Sequence, residues 1–211
     1  MKYVKPAEIE KRSFEIIKSE MKTQPPEDIA PVLMRVIHTT ADFDYEDNLV
    51  FSDNAVQAAS DAFDKGAVIV TDTNMALSGI NKGALGKLHL DAMCFMSNIE
   101  IAAEAQARGI TRAAASMEKA ARITGKPLIF AIGNAPTALI RLAELIEDGS
   151  VSPALVIGVP VGFVNVIESK ERMMKTAENY IIARGRKGGS SVAAAVVNAL
   201  MYEKLDPQRN K

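Results

Sequence analysis

The feature that most limits what this chain can fold into is a set of short apolar runs that do not alternate with polar residues. Residues 67–71, 128–132 and 154–157 are each almost wholly apolar. A strand with one face in water alternates with a period of two, whereas a strand buried on both faces does not. A weaker run at 180–183 and a segment around 90–95 have the same character. Stretches suited to helices follow these runs, at 74–81, 97–108 with 112–123, 135–147, 166–178 and 190–203. Unalternating strands separated by helices predict an α/β fold, a three-layer α/β/α sandwich with a mainly parallel sheet of about five strands.

Helices are also expected ahead of the sheet. Over 6–22, Ile9, Ile16, Ile17 and Met21 can share one buried side, and Pro25 and Pro26 end the helix. A second helix is predicted from Asp28 as N-cap, with Pro31 in its first turn and Ile29, Val32, Leu33, Val36 and Ile37 at helical spacing. A third covers about 53–65. With 211 residues, 48% of them apolar, and no linker or repeat, residues 1–211 read as one domain.

Charge and cysteine content exclude several roles. Lys+Arg 25 against Asp+Glu 26 leaves a formal net charge of -1, which gives no global reason to bind nucleic acid or an anionic membrane. Cys94 is the single cysteine, so no intrachain disulfide can form, as suits a reducing cytoplasm. One Cys and two His do not make a Cys/His zinc site within one chain. Residues 1–21 are rich in Lys and Glu and lack a signal-peptide core. No apolar run approaches the roughly 18 residues of a membrane span. A cytoplasmic location follows as the expectation.

In open parallel sheets, ligands bind beyond the carboxyl ends of the strands. Four segments are predicted to share that rim: Asp72 with Thr73, Gly133–Thr137, Gly158–Phe163 and Arg184–Ser191. Two candidates for chemistry stand out. Arg35, His38, Thr39 and Asp42 form one polar stripe on the second helix, spaced i, i+3, i+4, i+7. By spacing alone the stripe fits a solvated face better than a site wall in which Arg35 grips an anion and His38 exchanges a proton. In the loop 184–191, glycines let backbone N–H groups approach a ligand. Ser190 is placed to cap the next helix, and Arg184, Arg186 and Lys187 add charge. That pattern is an anion cradle or an ordinary cationic helix start. Asn134 and Pro136 read as the opening of another helix. Met75, Met93, Met96, Met117 and Met201 read as core filler, and His89 as structural.

Together these segments resemble the precorrin-8X and cobalt-precorrin-8 methylmutase family. Residues 35–42 resemble its histidine segment. Residues 133–139, 159–164 with 168–171, and 185–190 leading into 192–195 resemble three further motifs, in order, within a similarity spanning about 6–202. The resemblance implies an isomerase of cobalamin biosynthesis that shifts a methyl group from C-11 to C-12 of the corrin precursor. It implies His38 as general acid and no redox or nucleotide cofactor, any cobalt being carried by the substrate. It also implies contacts from Ser13, Arg35, Arg112, Asn134, Arg186, Lys187, Gly188 and Ser190 to a corrinoid edged with carboxylates. The family works as a homodimer. The apolar start of the last helix, Val192–Met201, must be buried either in its own core or against a partner. Other readings are a corrinoid carrier without chemistry, a paralogue with a shifted substrate, and a nucleotide or phosphate-ester enzyme. The last lacks both a Walker lysine pattern and a GxGxxG fingerprint.

Overall fold

The computed structural model describes residues 5–207. Its centre is a six-stranded sheet in the order β1-β6-β5-β4-β2-β3. The strands are β1 Leu49–Phe51, β2 Val68–Thr71, β3 Asp91–Cys94, β4 Leu128–Ile132, β5 Leu155–Gly158 and β6 Tyr180–Ala183. β2 to β6 run parallel, and β1 joins β6 antiparallel.

The lack of alternation has the predicted cause. In β4, Ile129 and Ala131 face one core while Leu128, Phe130 and Ile132 face the other. β5 divides in the same way, with Leu155 and Ile157 on one side and Val156 on the other. One layer holds α1 Pro6–Glu20, α2 Ala30–Thr40, α4 Ala55–Asp64, α5 Asn74–Gly79, α6 Lys82–Lys87 and α11 Ser190–Leu205. The opposite layer holds α8 Arg112–Ala121, α9 Pro136–Glu147 and α10 Val166–Thr176. α7 Ile99–Arg108 packs on α8 through a small cluster of Ile101, Ala105 and Ala115.

Several boundaries differ from the sequence expectation. β1 was not expected; it is three residues long and follows the one-turn helix α3 Tyr45–Asn48, too short to show a period. The N-cap of α2 is Ile29 without a side-chain cap, so Asp28 does not fill that role. On α1 Ile17 is buried, while Ile9 and Ile16 stay exposed, because α1 rides on α2 rather than on the sheet. α11 is the reverse case. Val192–Val197 and Ala199–Met201 are all buried, and the helix packs on α2, α5 and β4. Burial on all sides matches a helix that is apolar all round, and each Val or Leu so placed contributes about 1.5–3 kcal/mol. Its apolar surface is therefore spent inside its own core and gives no separate ground for a partner.

Candidate functional site

The parallel strands end on one rim, and β1 begins there, since Leu49 pairs with Ala183 and Arg184 N–H donates to the Asn48 carbonyl at 2.8 Å. α2 therefore delivers its C-terminal residues to the same rim. His38 is exposed near the end of α2, and its ring lies 5.3 Å from that of Phe14 on α1. Lys187 Nζ donates to Asp42 and Asp44, both at 2.6 Å, joining the basic loop to the turn after α2. Those contacts raise the pKa of Lys187, and the ammonium in turn holds Asp42 below the usual carboxylate range.

The polar stripe on α2 divides. His38 and Thr39 face outward, but Arg35 is only 9% exposed. Its guanidinium pairs with Glu10 and lies over the rings of Phe14 at 4.7 Å and Tyr202 at 5.3 Å. Ser13, beside Phe14, donates to its own helix at the Ile9 carbonyl, 2.9 Å away. α1 thus covers Arg35 and frames His38, a packing that helix periodicity alone does not reveal.

The crevice between β2 and β4 is the point where the chain reverses its direction across the sheet. A phosphate would bind there to N–H groups at the start of α9. Instead Asp72, wholly buried, accepts hydrogen bonds from the N–H groups of Gly133 at 2.8 Å, Asn134 at 2.8 Å and Ala135 at 2.6 Å. Burial raises its pKa, and the three N–H donors pull it back. The carboxylate thus holds the turn that leads into α9, whose N-cap is Ala135 without a side-chain cap; Asn134 does not cap the helix, and its side chain stays exposed. The occupied donors also weigh against the nucleotide reading.

Ser190 departs from expectation as well. Gly189 is the N-cap of α11, without a side-chain cap, and Ser190 Oγ instead meets Thr73 Oγ1 at 2.8 Å, linking α11 to the turn after β2. Gly188 is required by close approach. Its φ is +154°, and a Cβ there would lie 2.1 Å from the Val159 carbonyl oxygen. Arg186 remains exposed and lies over the Phe163 ring at 5.6 Å. Arg112 is exposed at the start of α8; Thr111 Oγ1 donates to Thr137 Oγ1 at 2.9 Å, so α8 starts beside α9 on the rim.

Two features of the rim were not anticipated from sequence. Met75, expected in the core, is 73% exposed, and Ile99 and Phe163 are 85% and 84% exposed. Val161 and Val164 are exposed beside Phe163. These residues follow β2, β3 and β5, so apolar surface lies along the rim among the cations. The second is Lys170, wholly buried on α10, whose Nζ donates to the carbonyls of Gly185 and Lys187, both at 2.9 Å. Burial lowers its pKa to about 8. The signal was present, because Val166, Lys170 and Met173 share one face of α10 and a Lys on an apolar face calls for a reason.

No helix among the described residues is long and apolar enough to cross a membrane. A family model described as precorrin-8X methylmutase matches residues 8–203. A cobalt-precorrin-8 methylmutase of Salmonella typhimurium is 44% identical over 209 residues, covering 96% of this chain and 98% of the relative. A precorrin-8X methylmutase of Pseudomonas aeruginosa is 38% identical, covering 93% and 95%. Among solved structures, the precorrin-8X methylmutase of Thermus thermophilus superposes with a TM-score of 0.86 at 37% identity, covering 95% of this chain and 98% of the other. Sequence, fold and end-to-end coverage point the same way: this chain belongs to the precorrin-8X methylmutase family.

Proposed function

We propose that this chain, an isomerase of cobalamin biosynthesis, moves a methyl group from C-11 to C-12 of precorrin-8X or cobalt-precorrin-8, with His38 as general acid. The observation that carries the reading is His38 itself, an exposed imidazole in the family's histidine segment, standing at the rim beside the basic loop. Protonating the conjugated ring makes it a better acceptor for the migrating methyl, and the proton returns to His38 after the shift. The rearrangement is redox-neutral and needs no cofactor; cobalt, where present, belongs to the substrate. The test is incubation with metal-free and cobalt-containing substrate, followed by absorbance spectra. Conversion of either supports the reading, and a corrinoid bound but unchanged in both cases favours a carrier.

The exposed apolar side chains suit the faces of a macrocycle, and the free cations suit its peripheral carboxylates. In this reading Arg186, Arg112 and the Asn134 amide meet the ligand, while Ser13 and Arg35 shape the wall behind His38. Lys187 acts mainly by holding the loop to Asp42 and Asp44, and Gly188 and Ser190 by shaping it. Arg186→Ala is expected to weaken product binding roughly ten- to a hundred-fold, the loss of one charge-assisted hydrogen bond. Titration of the free acid and its peripheral ester against both proteins checks this. Equal binding of the free acid by both removes Arg186 from the site.

The chain is also proposed to act in the cytoplasm as one domain and as a homodimer. Ile9 and Ile16 on the outer face of α1 offer apolar surface for a second copy. Light scattering is expected to give twice 22.7 kDa at micromolar concentration. The monomer mass across a dilution series would exclude the dimer.

A further inference from the structure

A buried ammonium is costly unless its protons are accepted. Lys170 spends two of its three on main-chain carbonyls of one loop, those of Gly185 and Lys187. The carbonyl between them, that of Arg186, accepts from Gly162 N–H at 3.2 Å. Three successive carbonyls are therefore engaged, those of Gly185 and Lys187 by a buried group and that of Arg186 by the neighbouring turn. The described residues contain no cis peptide bond, and across a trans peptide the N–H points opposite to the C=O. The N–H groups of Arg186, Lys187 and Gly188 consequently point away from Lys170 and Gly162. They donate to no acceptor among the described residues. Consecutive main-chain donors left without a partner in a turn are suited to an anion.

We propose that Lys170 is a positioning residue: it turns the carbonyls of Gly185 and Lys187 inward and so presents the N–H groups of Arg186 and Gly188, on either side of the Lys187 N–H, to a carboxylate of the macrocycle. The inference rests on the functional reading above for the identity of that carboxylate. It adds a role for a side chain that does not touch the ligand. It also separates two sources of affinity in the loop. The Arg186 side chain supplies charge, whereas Lys170 supplies the geometry of the main chain. The bond to Gly162 extends the same restraint to the turn that carries Phe163, so the apolar and anion-binding parts of the rim are set together.

The experiment uses Lys170→Met, which keeps the length of the side chain but donates nothing, and Lys170→Gln, whose amide can still donate to a carbonyl. Free-acid product and its peripheral ester are titrated against wild type and both variants. Lys170→Met is expected to lower the preference for free acid over ester at least fivefold, and Lys170→Gln to lower it less. A purely structural role would weaken both ligands alike and leave the preference unmoved, and that result overturns the proposal, as does wild-type binding of both ligands. If Lys170→Met does not fold by circular dichroism, the preference measured with Lys170→Gln decides. A second arm needs no corrinoid. Limited trypsin digestion of the ligand-free proteins should cut after Arg184, Arg186 or Lys187 at least tenfold faster in the variants, and cutting at the wild-type rate overturns the proposal. Wild type that binds no corrinoid would defeat the functional reading, while the trypsin arm would still decide whether Lys170 holds the loop.

Discussion

His38→Ala is expected to lower turnover by about 10²- to 10⁴-fold, the usual worth of a positioned general acid. Product affinity should change by no more than a few-fold. The imidazole is exposed, and its ring neighbour Phe14 also packs on the Arg35 guanidinium, so removing the imidazole leaves the wall in place. The affinity that survives should come from the apolar rim and the cations, which the substitution does not touch. Single-turnover spectra at saturating substrate measure the chemical step, and titration with product measures binding. Turnover within about tenfold of wild type would take His38 out of the acid role. Loss of binding and turnover together would make it a contact residue instead.

Asp72→Ala is expected to lower stability by about 2–4 kcal/mol, because it strands three main-chain donors just past the carboxyl end of β4. For a chain of this size that is a fall in Tm of roughly 4–16 °C. Asp72→Asn keeps one acceptor oxygen and should lose about half as much. Calorimetry of the three proteins measures the series. A loss below about 0.5 kcal/mol in Asp72→Ala would mean that water replaces the carboxylate. The substitution also frees the N–H groups of Gly133, Asn134 and Ala135, the site a phosphate would use. Inorganic phosphate should therefore stabilise Asp72→Ala and not wild type. No such difference between the two proteins would show that the crevice is shaped by more than Asp72.

The same contrast runs through the site. The loop 184–191 was readable as cationic and glycine-rich, but sequence left open whether its glycines serve a ligand or the fold. At Gly188 the missing side chain is required by the fold, since the Val159 carbonyl occupies the space of a side chain. Arg35 and His38 were readable as one stripe, yet α1 covers the first and leaves the second open. Lys187 looked like a free cation until Asp42 and Asp44, far away in sequence, came within reach.

The amino-acid sequence by itself determined the layers and the rim. Strands buried on both faces must be apolar at every position, and helices on either side must return the chain, so β2, β4, β5 and β6 and the helices α7 to α11 were legible from local pattern. It also determined which segments meet at the carboxyl ends of the strands, because parallel connections leave no other place for them. Only the tertiary structure decided the partners. Whether Asp72 holds the turn before α9, Lys170 bonds a loop, Met75 reaches solvent or α11 faces its own core depends on residues brought together from distant parts of the chain. Hydrogen bonds and burial are properties of those pairs, and no local period encodes them.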